Sequence, residues 1–137
     1  MPLHLEVITP ERTVYENDVD MVIAPGSEGY LGILPHHAPL LTALGPGEFR
    51  VKRGGVEEVL TVFGGFMDVR GDRVTVLTDI AERLEEIDEE RQRRAREEAQ
   101  KVIAAGVGGA EEARARAQLE RALVRLRVSG RRRRRSL

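Results

Sequence analysis

The chain has 137 residues, of which 41% are hydrophobic, 4% aromatic and 33% charged, and 22 basic against 23 acidic side chains leave a net charge of −1. That balance argues against an obligate nucleic-acid binder, and against a disordered chain, which pairs low hydrophobicity with a large net charge. The absence of cysteine excludes a disulfide scaffold, a Cys-ligated zinc site and thiol catalysis, and no apolar run approaches the roughly 18 residues of a membrane span, so a soluble cytoplasmic protein of one domain plus an appendage is expected.

The composition changes near residue 80. Residues 1–80 carry 6 basic and 12 acidic side chains, net −6, and residues 81–137 carry 16 and 11, net +5. All six prolines lie in the first part, with most of the Val, Ile, Thr and Gly, whereas Glu, Arg and Ala fill the second. A strand-rich part joined to a helix-rich part is the direct reading.

In chain order, Leu3, Leu5 and Val7 alternate with His4 and Glu6, and Val19, Met21 and Ile23 alternate around Asp20. Each pattern predicts a strand with one apolar face. Phe49 and Val51 alternate with Arg50 and Lys52, and Gly54-Gly55 then supplies a tight hairpin turn before a strand from Val56 to Val62. Strands from Gly65 to Val69 and from Val74 to Thr78 flank a turn at Arg70-Gly71-Asp72. Short strands with frequent glycine turns predict an antiparallel β-sandwich or barrel that folds alone.

A first helix is expected from about Ala81 or Ile87 to Ala105, broken by Gly106-Val107-Gly108-Gly109. A second runs from about Ala110 to Val128 and stops near Ser129-Gly130, so the two form an antiparallel hairpin. The fold class is therefore α+β in two parts: residues 1–84 as the sandwich, 85–130 as the helical hairpin, and 131–137 as a disordered basic tail. Only nine large aliphatics fall within residues 85–128, so the hairpin is expected to dock conditionally, on a partner surface or a ligand.

Few residues carry a chemical signature. His36 and His37 are adjacent, so on an extended segment they point to opposite faces, and with His4 remote no metal site is expected. There is no nucleophile elbow, P-loop or dinucleotide fingerprint, and no helix start follows Gly26-Ser27-Glu28-Gly29, so an enzyme in its own right is not expected. Arg114, Gln118, Arg121 and Arg125 form a cationic stripe beside an apolar face of Ala115, Leu119, Ala122, Leu123 and Leu126. Such a stripe is either a solvated edge or a site for phosphates or an acidic protein surface. The run Arg131 to Arg135 is read as a solvated terminus, with RNA or an anionic membrane as the other reading.

Four stretches carry a resemblance: Val7-Ile8-Thr9-Pro10-Glu11-Arg12, the block from Gly26 to Pro39 (GSEGYLGILPHHAP), Gly64-Gly65-Phe66-Met67-Asp68-Val69, and Val74-Thr75-Val76-Leu77-Thr78-Asp79. Together they make the chain closely similar to the epsilon subunit of bacterial rotary ATP synthase, from Leu3 to about Val128. The resemblance implies a non-catalytic component of the central rotor stalk of a proton-translocating synthase. It implies that the sandwich grips the gamma subunit and sits on the membrane rotor ring, peripheral to the cytoplasmic face of the membrane. It implies that the Gly26–Tyr30 loop faces the ring, with Glu28 and Tyr30 in contact, and that the turn around His37 is scaffolding for that loop. It also implies a hairpin that extends to hinder ATP hydrolysis, meeting acidic segments of the catalytic alpha and beta subunits through Arg114, Arg121 and Arg125.

No cofactor is required on this reading, but some members of the family bind ATP as a regulatory ligand on the folded hairpin through an Ile-Asp-x-x-Arg-Ala motif. Ile87, Asp88 and Arg91 match it, Arg121 and Arg125 match second-helix arginines, and Glu82 matches an acidic position ahead of the motif. Gln92 replaces the alanine and Glu98 replaces a first-helix arginine, and a carboxylate near phosphates costs affinity. The competing classes are a free-standing sandwich adaptor that binds a nucleotide or a protein, and an RNA-binding protein that uses the arginine tail.

Overall fold

The structure, a computed structural model, describes residues 2–136, with side chains described as far as Arg131. It divides into two compact units between Leu84 and Glu85. The first contains strands β1 (Leu3–Ile8), β2 (Thr13–Val19), β3 (Met21–Gly26), β4 (Gly29–Ile33), β5 (Leu40–Ala43), β6 (Pro46–Arg53), β7 (Val56–Phe63), β8 (Phe66–Arg70), β9 (Arg73–Leu77) and β10 (Ala81–Arg83). The second contains helices α1 (Glu89–Ala105) and α2 (Gly109–Ser136). Among the described residues no helix is long and apolar enough to cross a membrane.

The strands form two five-stranded sheets, β2-β1-β9-β8-β5 and β10-β7-β6-β3-β4. The inward residues alternate as strand geometry requires, and Leu3, Leu5, Val7, Val74, Val76, Met67 and Val69 of the first sheet share one core with Val22, Ile33, Phe49, Val51, Leu60 and Val62 of the second. The β6–β7 hairpin turns at Gly54-Gly55 with both φ angles positive, +57° and +79°, which only glycine adopts without strain. At one edge Tyr15 is buried, and its hydroxyl donates to Glu58 of the opposite sheet at 3.1 Å. The Arg83 guanidinium stands 5.3 Å from the centre of the Tyr15 ring. Burial raises the Tyr15 pKa, and the Glu58 carboxylate raises it further.

Several local expectations are corrected. β1 pairs with β9 in parallel, the one parallel pairing between the described strands. Val19, Met21 and Ile23 do not share a face. The chain passes from one sheet to the other at Asp20, whose N–H bonds Lys52 O at 2.8 Å, and the alternation slips by one so that Val22 and Ala24 point inward. Ala81 belongs to β10, paired with Val62, and Leu84–Glu86 make one 3₁₀ turn before α1.

Helix α1 begins at Glu89 because Asp88, in an extended conformation, caps it by accepting from the Arg91 N–H at 3.1 Å. It ends at Gly106, which takes the left-handed conformation at φ +66°. Helix α2 does not stop at Ser129-Gly130. Its backbone continues as helix through the arginine run to Ser136, and Leu137 lies outside the described residues. One internal glycine costs a helix only about 1 kcal/mol, and arginine is a good helix former with no proline to interrupt it.

Candidate functional site

The sandwich presents two surfaces of interest. The first is the β3–β4 hairpin, whose turn is Ser27-Glu28 between the paired Gly26 and Gly29. The Ser27 N–H donates to Ala43 O at 3.1 Å, so the turn is tied to the end of β5 and the Glu28 side chain is left exposed. Tyr30 is 56% exposed, and its hydroxyl accepts from the Glu48 N–H at 3.4 Å. This contact needs Gly47 beneath it, because a Cβ there would lie 3.1 Å from Pro25 and 3.2 Å from the Tyr30 hydroxyl. Tyr30 thus positions the turn as well as offering its ring edge. His37 does not support this turn. It lies beyond the far end of β4, where the His36 N–H donates to Asp72 at 3.2 Å, and an extended β4 separates the two ends.

The second surface was not foreseen. On the outer face of the first sheet, Ile8, Leu77, Phe66 and Ala43 stand side by side on four neighbouring strands. Phe66 is 57% exposed, Leu77 54% and nearby Leu41 70%. The row borders a cleft of about 400 Å³ between Thr9-Pro10 and Thr78-Asp79. Outward apolar residues at the ends of strands that otherwise alternate apolar-in and polar-out were the available signal, and a contiguous patch of this kind marks an interaction surface.

The same sheet face is polar at its other end. His4 donates from Nδ1 to Asp18 at 2.9 Å and from Nε2 to Glu16 at 3.0 Å, with Glu6 at 3.6 Å and Arg73 beyond it, 3.3 Å from the same Glu6 oxygen. The His4–Glu6–Glu16 group has metal-ligand chemistry, although His4 had been read as remote. Both ring nitrogens are already committed to carboxylates, which is the arrangement of an imidazolium. The hydrogen bond to Asp18 and then that to Glu16 raise the His4 pKa above 6.5, while Arg73 opposes them weakly. A raised folded-state pKa contributes stability that is complete below pH 6.5 and is lost as pH rises through the folded value. We therefore expect His4→Gln to lower the urea midpoint at pH 5.5–6, and the gap to the parent chain to narrow toward pH 8. A gap that is constant with pH would refute this role.

In the helical unit, Ile87 and Asp88 precede α1, and the cap occupies one Asp88 oxygen. Arg91 is exposed on the first turn. Arg114, Arg121 and Arg125 do share one face of α2, but only Arg114 is exposed while Arg121 and Arg125 are half-buried, and Arg125 Nη1 donates across to Gln92 Oε1 at 3.3 Å. Leu123, expected on the apolar face, is 43% exposed, whereas Val124 and Val128 are buried. Glu82 belongs to the other unit, at the centre of β10 opposite Thr61.

Comparison with known proteins covers both units. The beta-sandwich domain of the ATP synthase delta/epsilon chain matches residues 2–84, and the long alpha-helix domain of the same chain matches residues 85–130. The ATP synthase epsilon chain of Dehalococcoides mccartyi is 51% identical over 96% of this chain and 94% of its own. That of Herpetosiphon aurantiacus is 48% identical over 98% and 99%. Among solved structures, a chain of the Euglena gracilis mitochondrial ATP synthase superposes with a TM-score of 0.76 at 27% identity, covering 88% of this chain and 77% of that one. A chain of the Tetrahymena thermophila mitochondrial ATP synthase central stalk and ring has the same fold, with a TM-score of 0.60 at 14% identity over 94% and 97%.

Proposed function

The chain belongs to the delta/epsilon-chain family of ATP synthase, as a non-catalytic epsilon-type subunit of the central stalk, and from that premise we propose that its two units divide coupling from control. The sandwich carries rotation between the membrane ring and the catalytic head through the gamma subunit, and the hairpin restrains ATP hydrolysis. The observation that carries this reading is the contrast between the two interiors. The sandwich core is filled by Phe49, Leu3, Leu5, Ile33, Leu60 and Met67, all fully buried, as an element that transmits torque requires. The buried residues of α1 and of the loop-proximal half of α2 are alanines, Ala99, Ala115 and Ala122. With Val124 and Val128 the only larger side chains fully buried among the described residues of this unit, it buries far less per residue than the sandwich, which leaves two arrangements close in free energy.

The gamma subunit is the proposed occupant of the apolar row around Phe66, and the membrane ring that of the Ser27-Glu28 turn with Tyr30. In the extended hairpin, Arg114, Arg121 and Arg125 face acidic segments of the catalytic alpha and beta subunits, where charge pairing sets register more than affinity. ATP is a proposed regulatory ligand near Ile87, Asp88, Arg91, Arg121 and Arg125. It has to compete with the Asp88 cap and the Gln92–Arg125 bond, so its binding is weak. Glu82, on β10, is the remaining member of that proposed set. The subunit is held at the cytoplasmic face of the membrane through the complex alone.

The direct test compares ATP hydrolysis by the cognate catalytic head carrying the full chain with the head carrying residues 1–84 at equal occupancy. The shorter chain keeps the whole sandwich core and is expected to bind. Hydrolysis is expected to rise several-fold with it. Equal rates with both forms bound would remove the inhibitory role and leave the coupling role standing.

A further inference from the structure

The hairpin has a polar lock at its open end. Ser129 Oγ on α2 donates to Glu89 Oε1 on α1 at 2.5 Å, and one turn away Arg125 Nη1 donates to Gln92 Oε1 at 3.3 Å. Both bonds lie at the end away from the Gly106–Gly108 link, where covalent tethering does least to hold the helices together. Glu89, Gln92 and Ala99 recur at heptad-type spacing on α1, as do Ala115, Ala122 and Ser129 on α2, so each polar pair continues the seam that the alanines form. Toward the loop the buried residues are alanines alone, and toward the open end the two hydrogen bonds lie in the stretch of α2 where Val124 and Val128 are buried. One of these bonds has an ionised acceptor and the other a cationic donor, and such bonds are stronger than neutral ones. Glu89 Oε2 also holds Arg93 at 3.0 Å, which fixes the carboxylate that Ser129 reaches.

We propose that Glu89–Ser129 and Gln92–Arg125 form a latch that sets the balance between a closed and a separated helix pair, with Gln92 and Ser129 as its two neutral, tunable members. The latch is a property of the chain by itself and does not rest on the assignment to a rotary complex. It also gives Gln92 a purpose: the amide is long enough to reach across the seam, which a methyl side chain is not.

The chain contains no cysteine, so Ala122→Cys in the full-length protein places a single thiol at a seam position that is 1% exposed. Its labelling rate by a soluble disulfide reagent reads the separated population even when that population is small. Adding Ser129→Ala or Gln92→Ala is expected to raise the rate about tenfold each, and the pair together more, since tenfold corresponds to about 1.4 kcal/mol, within the range of a hydrogen bond to a charged or dipolar partner. Ser129→Thr, which keeps a hydroxyl, is expected to stay near the parent rate, as is Gln118→Ala on an exposed part of α2. Ala115→Cys repeats the measurement at a second buried seam position, should cysteine at 122 disturb packing. Rates within twofold of the parent at both thiols would overturn the proposal. So would acceleration accompanied by an equal loss of helical circular dichroism, because the helices would then be melting rather than parting.

Discussion

Gly65→Ala is expected to destabilise the sandwich by roughly 3–5 kcal/mol, a large part of the 5–15 kcal/mol that holds a typical domain together. Gly65 sits at φ +100° immediately before β8, and its carbonyl accepts from the Leu44 N–H at 2.8 Å. A Cβ built there would lie 2.1 Å from the Leu77 carbonyl oxygen and 2.8 Å from Thr78 Cα. Both obstacles are backbone, held in place by the β8–β9 ladder, so no side chain can rotate out of the way. Conformational strain of about 1–3 kcal/mol adds to the overlap. Gly71→Ala is the control: its φ is also positive, +56°, but nothing lies within 4 Å of the added atom, so the cost is only about 1–2 kcal/mol. Urea unfolding of the two variants decides the matter, and equal midpoints would refute the steric account.

Phe66→Asp, one residue further on, should leave the fold intact and remove the subunit from the stalk. Phe66 is more than half exposed, so the folded chain loses little, and the unfolding free energy is expected to move by no more than about 0.5 kcal/mol. In the proposed contact with gamma the ring is buried among Ile8, Leu77 and Ala43 of the neighbouring strands. Removing an aromatic anchor at an interface costs about 2–4 kcal/mol, which is roughly 30- to 700-fold in affinity for gamma. Val56, equally exposed at 59% but on the other sheet, supplies the comparison. Co-elution with gamma should be lost in Phe66→Asp and kept in Val56→Asp. The same loss in both would mean that any charge on the sandwich is disruptive and that the row is no docking site.

What could be read from the residues follows from how far each signal reaches along the chain. The two-part division, the β6–β7 and β8–β9 turns and the α1–α2 link depend on nearest neighbours, on Gly54-Gly55, Arg70-Gly71-Asp72 and the glycines after Ala105, and all were legible. The strands β4 and β5 were not read out individually, because Gly29–Ile33 and Leu40–Ala43 are short edge strands with little alternation. The slip at Asp20 was hidden, because two strands of different sheets meet there with a single residue between them. Long-range assembly was the least accessible. The meeting of His4 with Glu16 and Asp18 depends on the β1–β2 register, and the Phe66 row depends on four strands from three parts of the chain. The stripe of arginines was visible from helical periodicity, but its entanglement with Gln92 was not, since that requires the register between two helices.

The parallel pairing of β1 with β9 governs how this protein comes off the ribosome. β1 occupies an interior position in its sheet, between β2 and β9, so it can acquire only one of these neighbours until residues 73–77 have been synthesised. At about 5–20 residues per second, the 68 residues between His4 and Arg73 keep one edge of β1 unpaired for roughly 3–14 s. Its apolar face of Leu3, Leu5 and Val7 is uncovered for the same interval, a template for pairing with other nascent chains. Closure of so long a loop makes folding of the sandwich slow and all-or-none. The helical hairpin, whose contacts are local, requires no such closure.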